Sequence, residues 1–283
     1  MNRGYLAVGI LLVLAGGMHA QEYELIGLGT RVSGLVDLTA QSQYVWRGFN
    51  VYGNRGAAQL TAGVALPEWG PGLLISGHNA IGSGYSDFQR WDISPYYSHT
   101  FAAGSPGEMG FRVGYVYYMH PALPQAAYDM QEINAVFAFP GIIGSGFIPS
   151  FNLIRMWPAK DPSVIDLYDN AEGYMFVFNF DYIFALPSVV PELPEQVFKF
   201  HSEITYNSGF NPVLGYAADT DGSTGPIRPV EPCVSHAVFG AMTDFELGYG
   251  LAIPFGIYYQ LSLEDSVNPD DQAWATLGLR YSF

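Results

Sequence analysis

Lys199, His201 and Glu203 stand two residues apart and alternate with Phe198, Phe200 and Ile204. Strand side chains alternate between faces, so this spacing puts a base, an imidazole and an acid on one face and large apolar groups on the other. Such a face can move protons, form ion pairs or line a polar passage. The pattern recurs along the chain. Asp37, Asp92, Asp181, Asp244, Glu132, Glu246 and Glu264, with Arg112, Arg280 and His120, each fall opposite an apolar stripe. These residues are the expected lining of a polar interior, and Arg47 is a candidate for its mouth. Eight carboxylates against three permanent cations would favour cations or neutral solutes over anions. The same charges could instead pair across the interior, as Lys199 with Glu203, and simply fill it.

Catalytic and metal motifs are weak. There is no Gly-x-Ser-x-Gly elbow, no His-Glu-x-x-His and no glycine-rich phosphate loop. Ser202 neighbours His201 but lies on the opposite face. A serine, histidine and acid from separate strands could still assemble a hydrolase on lipid or peptide. Asp219-Thr220-Asp221-Gly222-Ser223 is like the start of a calcium loop but lacks the later bidentate acid, so a solvated turn is expected. Cys233 is the sole cysteine, which excludes an internal disulfide, and is expected as an unpaired thiol in a loop. No catalytic, cofactor-binding or metal residue is assigned, and no cofactor. The net charge of −15 argues against nucleic acid.

The elements that position these residues follow from composition and period. The chain is 49% hydrophobic and 16% aromatic but only 13% charged, about half the charge of ordinary globular surfaces. No internal apolar run reaches the ~18–20 residues of a membrane helix. A closed β-barrel is the other structure that satisfies its backbone in lipid. In Gly173–Leu186, Tyr174, Phe176, Phe178, Phe180, Tyr182, Phe184 and Leu186 share one face, and Met175, Val177, Asn179, Asp181, Ile183 and Ala185 the other. A stripe of that size is a hazard in water and the expected outer wall in lipid.

The pattern predicts an all-β, transmembrane, antiparallel up-and-down barrel of about twelve strands, near 31–46, 57–67, 73–81, 89–101, 109–120, 128–138, 147–157, 173–186, 196–207, 234–248, 255–264 and 272–283. Both ends of the barrel chain then fall on the periplasmic side, and the longest connections, including 208–233, on the outside. Connection 187–195, with three prolines, is either an irregular turn or the mark of a hairpin miscounted. Trp46, Trp91, Trp157, Tyr174 and Tyr206 fall at predicted outer ends. Phe101, Phe111, Phe147, Phe184, Phe198, Phe255, Tyr281 and Phe283 fall at inner ends, so two aromatic belts form. Pro95 and Pro149 interrupt predicted strands, where bulges or strand ends are expected. Trp274 falls on the polar face, which suggests a local slip.

Arg3, the apolar stretch 5–14 and the small residues Gly16, Gly17 and Ala20 have the form of a signal peptide cleaved after Ala20. The predicted organisation is a signal peptide at 1–20, a short periplasmic segment at 21–30 and a barrel at 31–283. Losing Arg3 would take the net charge from −15 to −16.

Ser42-Gln43-Tyr44-Val45-Trp46-Arg47-Gly48, at the close of the first strand, resembles the opening motif of the TorF-like porins and related outer-membrane proteins of unknown function. The resemblance covers about 35–65 and departs from the family pattern after Gly48. It implies an outer-membrane barrel and transfers no catalytic residue. On a physical reading Tyr44 and Trp46 face the outer interface. Arg47 then either points into the channel mouth or snorkels to lipid headgroups, and Gly48 permits the turn. The expectation is a passive channel for small hydrophilic solutes in the outer membrane of a Gram-negative-type bacterium. Its rivals are an outer-membrane enzyme and a structural or adhesion barrel with a plugged lumen. Outer-membrane lipid would surround it, and the terminal strand ending on Phe283 would be read by the outer-membrane assembly machinery.

Overall fold

The last strand pairs with the first long one. β15 (Gln272–Ser282) runs antiparallel beside β2 (Arg31–Gln41), with Arg280 opposite Asp37. That contact closes a barrel of twelve strands in the computed structural model, which describes residues 23–24, 31–82, 84–160, 172–187, 195–211 and 230–283. In chain order the other wall strands are β5 (Gly56–Ala65), β6 (Pro71–Ile81), β7 (Arg90–Phe101), β8 (Met109–Met119), β9 (Met130–Ala138), β10 (Phe147–Pro158), β11 (Gly173–Leu186), β12 (Gln196–Asn207), β13 (Cys233–Gly248) and β14 (Leu251–Ser262). Each pairs antiparallel with its neighbours in sequence. β1 (Tyr23–Glu24) adds two residues against β2. A hairpin of β3 (Val45–Trp46) and β4 (Phe49–Asn50) stands apart from the wall. No helix among the described residues is long and apolar enough to cross a membrane.

The period-2 pattern explains the wall. Leu38, Phe200, Phe239, Ile257 and Leu277 are each more than half exposed on the outside, whereas their neighbours point into the bore. On β11, Tyr174, Phe178, Phe180 and Tyr182 are exposed and Met175, Val177, Asn179 and Asp181 buried. The connections segregate. Segments 66–70, 102–108, 139–146 and the two-residue turn Tyr249-Gly250 lie at the end that carries the barrel's chain ends. Tyr249 and Gly250 both have positive φ, 54° and 79°, as a tight hairpin turn with the sheet's own twist requires.

The structure departs from the sequence pattern in several places. The first strand ends at Gln41 rather than at 46, because the chain folds inward at Ser42. Cys233 is the first residue of β13, paired with Asn207, rather than a loop residue. β11 pairs directly with β12 from Met175↔Asn207 to Leu186↔Gln196, so no hairpin is missing between them. Trp274 does face the bore without any slip, because it pairs with Tyr258 and stacks on that ring at 5.2 Å. Pro95 sits in an unshifted register, where the β7–β8 ladder lapses between Ile93↔Tyr117 and Tyr96↔Gly114 and no bulge forms. Pro149 lies just beyond the β9 ladder, where its carbonyl accepts the Phe139 N–H at 3.0 Å. The signal segment 1–20 and Asp219–Ser223 lie outside the described residues.

The closing seam explains one glycine. An ideal Cβ on Gly34 would lie 2.3 Å from the Phe283 ring. The ring therefore covers the bare backbone, while Gly34 and Phe283 exchange two backbone hydrogen bonds of 2.7 and 2.9 Å.

Candidate channel lumen

Arg47 and Gly48 form the turn of the β3–β4 hairpin, with φ of 56° and 90°. A Cβ on Gly48 would lie 2.5 Å from His236 Nδ1. The backbone angle and the close approach both require glycine. The hairpin reaches across the bore and is fixed on the facing wall. Arg47 Nη2 donates to both Glu132 oxygens, at 2.9 and 2.8 Å. Glu132 is fully buried and also accepts from Tyr118 Oη and Asn134 Nδ2, each at 2.7 Å. Gln260 Nε2 donates to the Gly48 carbonyl at 2.8 Å.

Nearer its root the segment rests on a second cluster. Arg90 donates to Asp92 through Nε at 2.8 Å and to the Tyr44 hydroxyl through Nη2 at 2.7 Å. Its guanidinium lies 4.1 Å over the Trp46 ring, and His78 Nε2 is 2.9 Å from Asp92. Tyr44, Phe49, Val51 and Tyr52 are buried with Val230 and Val267. Tyr44 and Trp46 therefore face the interior rather than the outer interface. Their alternation was that of a strand, but its partners are cations and rings inside the bore. Trp46 accordingly does not join the outer aromatic belt.

Beneath this hairpin a cavity of about 1520 Å³ runs to the end that carries the barrel's chain ends. Its walls differ. On β8–β11, nearest the hairpin, Val116, Met130, Ile154, Met156, Met175 and Val177 pack with Phe210 in an apolar cluster. On the other side the lining is charged and mostly paired. Arg280 donates to Asp37 and Asp244, each at 2.8 Å. Asp181 meets His201 at 2.6 Å and Lys199 at 3.7 Å. Glu203 lies between His201 at 3.4 Å and His236 at 3.5 Å. Arg112 differs: its guanidinium stacks 3.9 Å over Tyr96, and among the described residues it has no acid partner.

Of the residues expected to line the interior, Asp37, Arg47, Arg112, Lys199, His201, Glu203, Asp244, Glu246 and Arg280 border the cavity. Asp92 and Glu132 are held in the hairpin's anchorage, and Asp181 beneath Lys199 and His201. His120, one residue past β8, is buried 3.7 Å from Asp129. Glu264 lies in connection 263–271, beyond the end of β14, where it accepts the Ser266 N–H at 3.1 Å. Among the described residues five carboxylates and four permanent cations border the cavity, with Glu195 the carboxylate not anticipated and Arg47, set at the mouth by the sequence, now counted among the cations. The eight-to-three excess read from the sequence thus narrows to near balance.

Sequence reasoning missed His78, Arg90, Asn152 and His236. Arg90 shares parity with Asp92, and Asn152 lies opposite an apolar stripe, so the signal for both was present. His236 shares the parity of Asp244 and Glu246, so its signal was present as well; the irregularity at Thr205/Tyr206 reverses the parity of β13 only beyond it, at Val234.

Ser235, His236 and Glu203 come together, with Ser235 Oγ 2.9 Å from His236 Nδ1. The array does not make a nucleophile. Ser235 is fully buried away from the cavity lining, and its hydroxyl donates to the Thr205 carbonyl at 3.2 Å.

No protein-family model matches the chain, so the TorF-like resemblance rests on the residues around Ser42–Gly48 alone. No curated protein matches it either. Solved structures do. A KdgM porin superposes with TM-score 0.51 at 9% identity, covering 88% of this chain and 99% of that one. A NanC porin does so with TM-score 0.52 at 6% identity, over 87% and 98%. The fold is that of a porin barrel. A COG4313 outer-membrane channel from Pseudomonas putida F1 has TM-score 0.49 at 10% identity, over 92% and 98%.

Proposed function

We propose that this chain is exported and forms an outer-membrane channel for passive diffusion of small hydrophilic solutes. The observation that carries the reading is a charged, solute-sized cavity inside a barrel whose outer face is apolar. An outer wall that exposes Leu38, Phe200 and Leu277 is costly in water and at home in hydrocarbon. The terminal strand, ending on Phe283 over Gly34, would be the part presented to the assembly machinery. The hairpin over Arg47 sets the narrowest part of the path. Near-balanced charge on the cavity supports only a weak cation preference, carried by Glu203, Asp244 and Glu246.

A second reading follows from the same hairpin. Its buried aromatic core could seal the bore and leave a structural barrel. Single-channel recording in planar bilayers separates the two. A folded protein, identified by heat-dependent gel mobility, should give discrete conductance steps. A silent membrane over a wide voltage range would overturn the channel reading.

A further inference from the structure

We propose that Arg112 is the anion-binding element of a solute subsite for small amphipathic monocarboxylates that carry a hydroxyl at their far end. Four residues form one transverse row across the wall. Arg112 is the register partner of Val136, Val136 of Asn152, and Asn152 of Val177. All four border the cavity. Arg112 has glycines at 110 and 114 on its own strand face, so no side chain of β8 crowds it on either side.

The polar ends of this row are unmet. Arg112 Nε and Asn152 Oδ1 are buried without a hydrogen-bond partner, and neither residue has another contact among the described residues that would satisfy it. Every other permanent cation on the cavity has a carboxylate within 4.0 Å. A half-buried guanidinium without a counter-charge is satisfied by water or by an anion that enters, and its fork matches a carboxylate. Stacking on Tyr96 holds the fork in place. The Asn152 carbonyl needs a donor, which a hydroxyl supplies. Neighbouring strands lie about 4.8 Å apart, so Arg112 and Asn152 are roughly 10 Å apart at the backbone. Between them Val136 offers an apolar surface, which suits an aliphatic or aromatic body. With Arg112 counted, the described lining carries five carboxylates and four permanent cations, so a monoanion meets only a weak opposing field on its way to the one cation without an acid partner.

The subsite rests on the reading of the bore as a solute path, but its test needs no current. Calorimetry on folded protein in detergent compares 4-hydroxybenzoate, its neutral analogue 4-hydroxybenzamide, and benzoate. The acid should bind about ten- to a hundredfold more tightly than the amide, the range a charged hydrogen bond supports. R112Q should remove that difference. Benzoate should bind several-fold more weakly than 4-hydroxybenzoate, and N152A should erase that gap. Should R112Q fail the heat-mobility test for folding, R112K keeps the charge without the fork and should lose about half of the preference in logarithmic terms. Equal binding of acid and amide, full affinity in R112Q, or no binding of any probe at millimolar concentration each overturns the subsite. Binding without conductance would overturn the channel and leave the subsite standing.

Discussion

Replacing Arg47 by alanine tests how the bore is held narrow. The substitution removes both hydrogen bonds to Glu132 and leaves a carboxylate with no solvent exposure. Removing one partner of a buried ion pair costs about 3–5 kcal/mol. Two features put this site at the lower end. Glu132 keeps Tyr118 and Asn134 as donors, and the Arg47 side chain is 20% exposed. We expect about 3 kcal/mol, which multiplies the population of detached hairpin by roughly a hundredfold. The Tyr44–Arg90 and Gln260–Gly48 bonds still oppose release, so the hairpin should fluctuate rather than leave. In single-channel records R47A should show larger and noisier steps than the parent. Urea unfolding of R47A, E132Q and the double variant then gives the coupling between the two residues. A coupling of about 2 kcal/mol or more is expected. Additivity within about 0.5 kcal/mol, with unchanged conductance, would refute the latch.

Other perturbations probe other parts of the barrel. Val at position 34 must displace the Phe283 ring and should cost about 1–3 kcal/mol, read as a lower temperature for the gel-mobility transition; an unchanged transition refutes the packing at the seam. Changing Glu203, Asp244 and Glu246 together to amides should move the reversal potential in a salt gradient toward anion preference, and an unchanged potential removes these residues from selectivity. Acid should weaken the barrel in two stages at connection 120–129. Burial holds the His120 pKa below its ordinary 6.5. The unfolded chain therefore takes up the proton first, and stability falls as pH drops through about 6.5. Burial alone would raise the Asp129 pKa, but hydrogen bonds from His120 and Tyr117 outweigh it and hold it below 3.8. Its contribution is present above that value and is lost below it. H120Q should flatten the first stage only, and a pH profile identical to the parent's would rule out that role for His120.

How much of this was legible in the sequence depends on the element. The wall was, because Gly173–Leu186 and its neighbours alternate with period 2 and a barrel has only two faces to fill. The interior was legible only as a set of charges. Parity placed Arg280, Asp37 and Asp244 inward, but their pairing at 2.8 Å depends on which strands close the barrel. The hairpin was misplaced for a definite reason. Tyr44 and Trp46 alternate as lipid-facing strand residues do, and their actual partners, Arg90 and Tyr118, lie 46 and 72 residues further on. Local period cannot distinguish hydrocarbon outside from rings inside. Met175 and Val177 had the right parity, but the apolar inner wall they belong to gathers residues from β8 to β11 with Phe210, and the period of one strand carries no sign of which neighbours join it.

That inner wall also explains why one charge is left without a partner. Twelve strands enclose more space than wall side chains alone can fill. Here the space near the hairpin is closed by aromatics from 42–55 against Met130, Met156 and Met175, and two buried ion pairs anchor the segment. Carboxylates that could have balanced cations lower in the bore are used in that anchorage: Glu132 for Arg47 and Asp92 for Arg90. Further down, Asp37 and Asp244 share Arg280, and Asp181 serves Lys199 and His201. Arg112 sits on the wall opposite these pairs, among valines and an asparagine, where β9 and β10 carry no acid in its row. Narrowing the path with a hairpin and leaving a cation exposed to solutes are therefore consequences of one distribution of carboxylates. If so, E132Q should weaken the hairpin without changing carboxylate binding at Arg112, and R112Q should do the reverse. A variant that altered both together would show that the two sites are one.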